Sequence, residues 1–308
     1  MPRLVRRSVL IVPVLDEQAS GHSWRHNADA IALDLDVIVD DSQKRQARSR
    51  LPEAIATARR GGAEVFARIT RDVAYADIVA AAIPGLTGIL LPGAETAADV
   101  AEVDEILQER ERIEGIPGGK LEIFLLVSSA KGVWNVRQLL RASPRISAAA
   151  LDEPALCASL GIVPRDDFDA LTFSRGRLIV ESLAVTCLPV GIGHPLGARP
   201  RELPEKEFVQ RAGEARNTGF KGALCPFPSW VEACNRAFTP SDEQIAYYRE
   251  VRKAFAEGVA RGTAAVPFPG GQMLDVPVDE RAKLAIDLWE RSQRRDREKA
   301  AALAAAGS

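Results

Sequence analysis

Short apolar segments alternate with longer amphipathic stretches along most of the chain. Each apolar segment has no polar face, as expected for a parallel strand that is buried on both sides. The stretches between them have helical spacing; in Thr96–Arg110, for example, Val100, Val103 and Leu107 lie on one face and acidic residues on the other. The predicted strands are Ser8–Val12, Ala30–Leu35, Glu64–Arg68, Gly88–Leu91, Ile123–Val127, Ala148–Leu151, Leu188–Ile192 and Gly222–Cys225.

This alternation predicts an α/β fold, a (β/α)8 TIM barrel over residues 1–238. The alternative is a doubly wound sheet. No glycine-rich phosphate-binding fingerprint follows any of the predicted strands, which favours the barrel.

The chain continues beyond the predicted barrel. A helix is expected from T-P-S-D-E-Q, with Thr239 or Ser241 as its N-cap, to about Ala260. The proline- and glycine-rich residues 265–278 predict a hairpin or an extended arm, and a last helix is expected over Asp279–Arg295. We therefore predict a C-terminal helical and hairpin extension over 239–296 and a disordered tail over 297–308.

Composition excludes several classes of partner. The 40 Lys and Arg residues against 42 Asp and Glu residues leave a net charge of −2, with no basic stripe for nucleic acid or an anionic membrane. No segment approaches the roughly 20 apolar residues of a membrane span. The four cysteines have no CxxC spacing, so neither zinc nor a disulfide framework is indicated. We expect a cytoplasmic protein that contacts neither membrane nor nucleic acid.

An ordered series of motifs resembles one enzyme family along nearly the whole chain. That family is the citrate lyase β-subunit and malyl-CoA lyase group of the HpcH/HpaI aldolase superfamily. The motifs are R-S-V-L-I-V-P, A-D-A-I-A-L-D-L-D, I-L-L-P-G-A-E-T-A-A-D-V, A-K-G-V-W-N-V-R-Q-L-L-R-A-S-P-R, A-F-T-P-S-D-E-Q-I and G-Q-M-L-D-V-P-V.

The resemblance implies a carbon–carbon lyase on a TIM barrel, but the metal site of the family is altered. Relatives hold Mg²⁺ with a Glu after the fifth strand and an Asp after the sixth, and these positions are Ser128 and Ala155 here. A hydroxyl and a methyl group do not replace two carboxylates as ligands of this ion. We therefore predict no metal and no cofactor, unless a local shift of the backbone brings Asp152 or Glu153 into the site.

Other positions of the family are retained. The resemblance implies that Arg68 grips a substrate carboxylate and that Glu95 and Ser128 lie at the substrate. It further implies that Asp36, the acidic group kept after the second strand, is a catalytic residue. It also implies that Asp275 is an acid–base residue supplied by a neighbouring subunit in a homotrimer. The alternatives are that Arg68 pairs with Asp34, Asp36 or Glu95, and that Asp275 only caps or braces the arm.

Two hypotheses follow from these retentions and losses. The first is a divergent lyase or related enzyme that acts on a small carboxylate or acyl-CoA without Mg²⁺. The second is a catalytically inactive barrel that binds a ligand or serves as a partner subunit.

The segment Ser128-Ser129-Ala130-Lys131 also matches an S-x-x-K motif, in which a lysine activates a serine nucleophile. The companion motifs of that chemistry are missing from the sequence.

Overall fold

A computed structural model describes residues 4–37 and 40–307 of the chain. All eight predicted strands are present, and each begins and ends within two residues of its predicted bounds. The strands are β1 (Ser8–Pro13), β2 (Ala30–Asp34), β3 (Glu64–Arg68), β4 (Gly88–Pro92), β5 (Glu122–Val127), β6 (Ile146–Leu151), β7 (Leu188–Val190) and β8 (Ala223–Cys225).

The eight strands form a (β/α)8 barrel. They pair in parallel in chain order from β1 to β7, and β8 returns to pair with β1. The segments that contain β7 and β8 are joined by two backbone hydrogen bonds, from Gly191 N to Gly222 O (2.8 Å) and from Lys221 N to Pro189 O (2.9 Å). The barrel prediction is therefore confirmed, and the doubly wound sheet is excluded because the two ends of the sheet are hydrogen-bonded to each other.

Helices connect the strands, and several begin at the residue that the sequence indicates. Thr96 and Asp99 form a reciprocal capping box at the start of α4, and the helix ends at Gly115 with φ 66°. The barrel helices are α1 (Glu17–His22), α2 (Asp41–Ala58), α3 (Ala74–Ala81), α4 (Ala97–Glu114), α5 (Ala130–Leu139), α6 (Glu153–Leu160), α7 (Thr172–Ala184), α8 (Glu205–Thr218) and α9 (Ser229–Ala237).

The barrel interior is filled with side chains. Phe66 and Phe124 pack edge to face with ring centroids 6.0 Å apart, and alanines of β2 and β6 leave room for them. Leu90 and Leu126 lie above this layer and belong to the same cluster. A second, larger apolar cluster lies between the strands and the surrounding helices. The interior is thus closed by packing, and a ligand can bind only above it, at the strand ends.

Residues Thr239–Glu298 form a separate compact unit. Ser241 and Gln244 form the capping box at its first helix, and the predicted hairpin is present as two paired antiparallel strands. The unit has a small core of its own, which contains Val251, Phe255 and Leu274. Its elements are α10 (Asp242–Ala260), β9 (Val266–Phe268), β10 (Gln272–Leu274) and the start of α11 (Val276–Gly307).

The prediction of a disordered tail is wrong, because α11 continues to Gly307 and its residues from Lys299 onward belong to the barrel unit. Lys299 is fully buried there, with Nζ 2.7 Å from Asp29 Oδ1 and 2.8 Å from Asn27 O. Asp29 in turn binds the guanidinium of Arg7. A buried charge of this kind requires partners, and these partners anchor the end of the helix. Within residues 4–37 and 40–307, no helix is both long and apolar enough to cross a bilayer.

Candidate functional site

A cavity of about 350 Å³ lies at the carboxyl ends of the barrel strands. Its lining includes Pro13, Asp34 and Arg68, the last residues of β1, β2 and β3, together with Leu151 of β6 and Val190 of β7. This is the end at which (β/α)8 barrels carry their ligand and active sites, because the strand-to-helix loops meet there. The cavity is therefore the candidate site.

Arg68 is the cation of the cavity, and three carboxylates surround it. Its Nη2 is 2.8 Å from Asp36 Oδ2 and 3.3 Å from Asp152 Oδ2, and its Nη1 is 3.3 Å from Asp34 Oδ2. The guanidinium therefore links the end of β2 to the end of β6. The Nε of Arg68 is buried and has no hydrogen-bond partner among the described residues.

This cluster carries an excess of negative charge. Three carboxylates and one guanidinium leave two negative charges uncompensated, and Asp34 is 1% exposed. Burial raises the pKa of Asp34, and the charge of Arg68 with the backbone hydrogen bond from Asp36 only partly opposes that rise. Burial therefore makes Asp34 easier to protonate than an exposed aspartate.

Asp152 reaches the cavity from the turn between β6 and α6. Its backbone N–H donates to Val127 O, and its Oδ1 accepts the N–H of Ala155 at 3.1 Å, which makes it the N-cap of α6. The other oxygen, Oδ2, faces Arg68. Capping holds the side chain of Asp152 in one orientation, so its carboxylate places a negative charge at a fixed position in the cavity.

Glu153 closes the cavity wall beside Asp152. It forms a two-pronged, buried ion pair with Arg175 of α7, with both N–O distances 2.7 Å. Gly197 packs directly on this carboxylate; a Cβ at Gly197 would lie 2.3 Å from the oxygens of Glu153. The ion pair therefore supports the loop after β7, which itself contributes Leu196 and Pro200 to the lining.

The model of the family described as HpcH/HpaI aldolase/citrate lyase matches residues 7–228. The chain belongs to this family.

Two relatives from the HpcH/HpaI family align with most of this chain. Citrate lyase subunit beta of Leuconostoc mesenteroides subsp. cremoris is 26% identical over 287 residues, which cover 92% of this chain and 93% of that protein. The L-malyl-CoA/beta-methylmalyl-CoA lyase of Cereibacter sphaeroides (strain ATCC 17025 / ATH 2.4.3) is 27% identical and covers 84% of this chain and 86% of its own. The family is therefore one of carbon–carbon lyases.

Solved structures agree with the barrel. The CitE protein of Mycobacterium tuberculosis, in complex with magnesium, acetoacetate and coenzyme A, superposes with a TM-score of 0.68 at 25% identity and covers 96% of this chain and 99% of its own. A citrate lyase of Burkholderia xenovorans LB400 superposes with a TM-score of 0.78 at 16% identity and covers 97% and 96%. The second likeness is one of fold alone.

In this HpcH/HpaI family member, Glu95 and Ser128 lie outside the cavity lining as far as the described residues show. Glu95 instead accepts a hydrogen bond from Ser129 Oγ at 2.6 Å and pairs with Lys131 Nζ at 3.2 Å. The hydrogen bonds from Ser129 and Lys131 lower the pKa of Glu95. Its observed contacts hold the start of α5 against the end of β4.

Asp275 lies in the C-terminal unit, between β10 and α11. Its Oδ1 accepts the N–H of Val278 at 3.1 Å, and its backbone carbonyl accepts that of Asp279. The side chain thus caps α11 within its own unit, as the alternative interpretation expected. It is exposed, so the cap leaves it accessible to a second molecule.

The sequence offered pairing of Arg68 with Asp34, Asp36 or Glu95 as an alternative to substrate binding. It gave no cavity role to Trp230 and indicated Asp152 only as a possible metal ligand. The turn L-D-E-P after β6 carried a usable signal, since an Asp before a proline at the first helical turn is a common N-cap. The apolar residues that line the cavity gave no such signal in the sequence. Strand ends that face a cavity have the same composition as strand ends that face packed core.

Proposed function

We propose that this protein is a carbon–carbon lyase or related enzyme that acts on a small carboxylate or acyl-CoA by a mechanism without Mg²⁺. The observation that carries the proposal is Arg68, a guanidinium at the strand ends inside a cavity of about 350 Å³. A planar guanidinium binds a carboxylate with two parallel hydrogen bonds. Structural neighbours in the family hold acetoacetate, and in some cases coenzyme A as well.

A substrate carboxylate would replace part of the present partners of Arg68. Two of its three carboxylate contacts are long, at 3.3 Å, and one of these involves Asp34. Protonation of Asp34 removes one negative charge from the cluster and frees Nη1. Substrate binding in this proposal is therefore coupled to proton uptake by Asp34.

The donor set supports a mechanism without the metal ion. At the two positions that carry metal-binding carboxylates in relatives, this chain has Ser128 and Ala155. Both oxygens of Asp152 are engaged, one by Arg68 and one by the backbone of Ala155. Among the described residues, no group of three His, Cys, Asp or Glu side chains is arranged to hold a metal ion. Mg²⁺ needs several oxygen ligands in near-octahedral geometry, and the engagement of both Asp152 oxygens supports the proposal that the mechanism does without it.

The remaining requirement is a group that moves a proton. In carbon–carbon cleavage of this kind a base takes the proton of the hydroxyl group, the C–C bond breaks as that C–O bond becomes a carbonyl, and the enolate left on the other fragment takes a proton from the same residue, now acting as an acid. In this proposal Asp275 of a neighbouring subunit supplies that proton in a homotrimer, while Asp36 holds the guanidinium of Arg68 in place. Substrate-binding roles for Glu95 and Ser128 stay predictions, and among the described residues both lie outside the cavity lining.

Deuterium exchange tests the proposal without knowledge of the natural substrate. Pyruvate and acetoacetate are incubated with the protein in D₂O, and loss of the C–H signal next to the carbonyl is followed by NMR. We expect catalysed exchange that needs no added Mg²⁺, is lost in Arg68→Met and is reduced in Asp275→Asn. Arg71→Met is the matched control, because Arg71 pairs with Asp99 and does not line the cavity.

The excess negative charge around Arg68 favours a second candidate, a barrel that binds a ligand without turnover. Three carboxylates already occupy the only guanidinium that lines the cavity among the described residues. Saturable binding of an acid without any exchange would support this candidate. Absence of both binding and exchange would contradict the proposed enzyme.

A further inference from the structure

The cavity has a charged side and an apolar side. The charged groups come from the ends of β2 and β3 and from the start of α6. Leu90, Leu126 and Leu151 add apolar lining from β4, β5 and β6, between the strands that carry the charged groups. A continuous apolar wall comes from the adjacent strands β7, β8 and β1 and from the segments that follow β7 and β8. Its side chains are Ile11, Val190, Ile192, Leu196, Leu224 and Trp230.

Two side chains of the apolar wall show that it faces the cavity and not only the core. Ile11 and Leu224 pack against the buried barrel cluster but are themselves only partly buried. They lie on the adjacent, paired strands β1 and β8. An apolar surface left beside an open volume is stabilised when a ligand covers it, which is the usual composition of a ligand site.

The cavity is larger than the small acids pyruvate and acetoacetate, which structural neighbours bind. At about 30 Å³ for each water-sized group, 350 Å³ corresponds to roughly a dozen non-hydrogen atoms. Pyruvate or acetoacetate bound at Arg68 would fill about half of that volume and would leave the apolar wall uncovered.

Trp230 brings a hydrogen-bond donor, its indole N–H, to this apolar wall. Its side chain is 2% exposed and packs on Phe208 and Phe227, with ring centroids 4.6 Å and 5.6 Å away. Its indole Nε1 is buried and has no hydrogen-bond partner within the described part of the chain. A buried donor without an acceptor is costly and rare in folded proteins. Trp230 lines the cavity, but its Nε1 is itself buried, so an oxygen of a ligand can accept this N–H only when the indole ring shifts as the ligand binds.

We propose that the cavity takes an oxo or hydroxy acid with a branched or aromatic hydrocarbon substituent, and that Trp230 donates its indole N–H to the oxo or hydroxyl oxygen of that acid. The inference rests on the proposed role of Arg68 as the carboxylate anchor. The hydrocarbon part lies on the wall formed by β7, β8 and β1. Trp230 is then a specificity-determining residue.

Isothermal titration with three 2-oxo acids tests the size and polarity of the ligand. The probes are pyruvate, α-ketoisocaproate and phenylpyruvate. One methylene in an apolar pocket changes affinity by about tenfold or more, so we expect both larger acids to bind at least tenfold more tightly than pyruvate. Leu224→Phe, which fills the apolar side, should remove this preference while pyruvate still binds, and its melting temperature shows whether it is folded.

The role of the indole N–H is tested with Trp230→Phe, which keeps an aromatic ring and removes the donor. We expect a three- to tenfold loss for phenylpyruvate, the usual effect of one hydrogen bond. Phenylpropanoate has the same ring and carboxylate without the oxo oxygen, and its affinity should not change. Equal losses for both acids would overturn the role of Trp230.

The outcomes separate this inference from the proposed function. Pyruvate binding as tightly as phenylpyruvate, with both lost in Arg68→Met, would overturn the inference and leave the carboxylate anchor in place. No measurable binding of any of the acids would overturn the anchor and the inference together. Tighter binding of the larger acids that depends on Arg68 supports both.

Discussion

Replacement of Lys299 by Met should destabilise the barrel, although Lys299 is followed by only nine residues of this 308-residue sequence. The Lys299 ammonium is fully buried and contacts Asp29 Oδ1 at 2.7 Å and Asn27 O at 2.8 Å. Met keeps most of the apolar stem and removes the charge. Asp29 would retain Arg7 but would lose one of its two cations.

The magnitude follows from these contacts. Removing one partner of a buried ion pair costs about 3–5 kcal/mol when the other charge is left uncompensated. Arg7 still binds both oxygens of Asp29, at 2.8 Å and 2.9 Å, so we expect the lower end, about 3 kcal/mol. For a domain of this size that corresponds to a fall in melting temperature of roughly 6–10 °C.

The effect should also depend on pH. Burial acts to raise the pKa of Asp29, but the hydrogen bonds and charge of Arg7, and then the charge of Lys299, outweigh it and lower that pKa below its ordinary value. A depressed carboxylate pKa contributes stability that is complete above the unfolded pKa of about 4 and is lost as the pH falls through the folded pKa. The difference between wild type and Lys299→Met should therefore be full at neutral pH and shrink in acid.

Thermal unfolding followed by circular dichroism measures this difference. Arg297→Met is the matched control, because Arg297 is exposed two residues earlier on the same helix and should change stability by less than about 0.5 kcal/mol. Equal melting temperatures for Lys299→Met and Arg297→Met would refute the reasoning, since they would show that the tail does not hold its buried position.

Three further predictions concern the cavity and the assembly. Because burial raises the pKa of Asp34, affinity for phenylpyruvate should increase as the pH falls towards that pKa, and Asp34→Asn should bind tightly at neutral pH with a flatter pH profile in calorimetric titrations; an unchanged profile would contradict the proton coupling. Millimolar Mg²⁺ should leave the melting temperature unchanged, because an ion that does not bind the native state cannot stabilise it, whereas a saturable rise would reveal a metal site. Light scattering should show a homotrimer for the wild type, and Met273→Glu, at a hairpin side chain that is 56% exposed, should shift it towards monomer; a monomeric wild type would remove Asp275 from the proposed mechanism.

The barrel could be predicted because its signal is local. Each strand is a mainly apolar segment of three to six residues, and that pattern depends on no distant partner. The tail could not be predicted in the same way. Its charged and alanine-rich composition is typical of a solvated helix end, and the burial of Lys299 depends on Asp29, which is 270 residues away in sequence.

The site was predictable where adjacent strand ends meet. Asp36 and Arg68 follow or end neighbouring strands, so their pairing was among the expected alternatives. Asp152 reaches Arg68 from across the barrel mouth, and only the closed geometry brings the two together. The partly exposed faces of Ile11 and Leu224 were unpredictable for a related reason, since the sequence does not show where the packed interior ends and the cavity begins.

The closure of the barrel between β7 and β8 has a kinetic consequence. Every other neighbouring pair of strands shares three to five paired residues, whereas this seam is closed by two backbone hydrogen bonds, from Gly191 and from Lys221. The free energy of local opening should be lowest where the fewest bonds must break, so these two amides should exchange with solvent before those of the other strand junctions. The same two strands form part of the apolar wall of the cavity. A ligand that covers this wall should slow exchange at Gly191 and Lys221 more than elsewhere in the barrel.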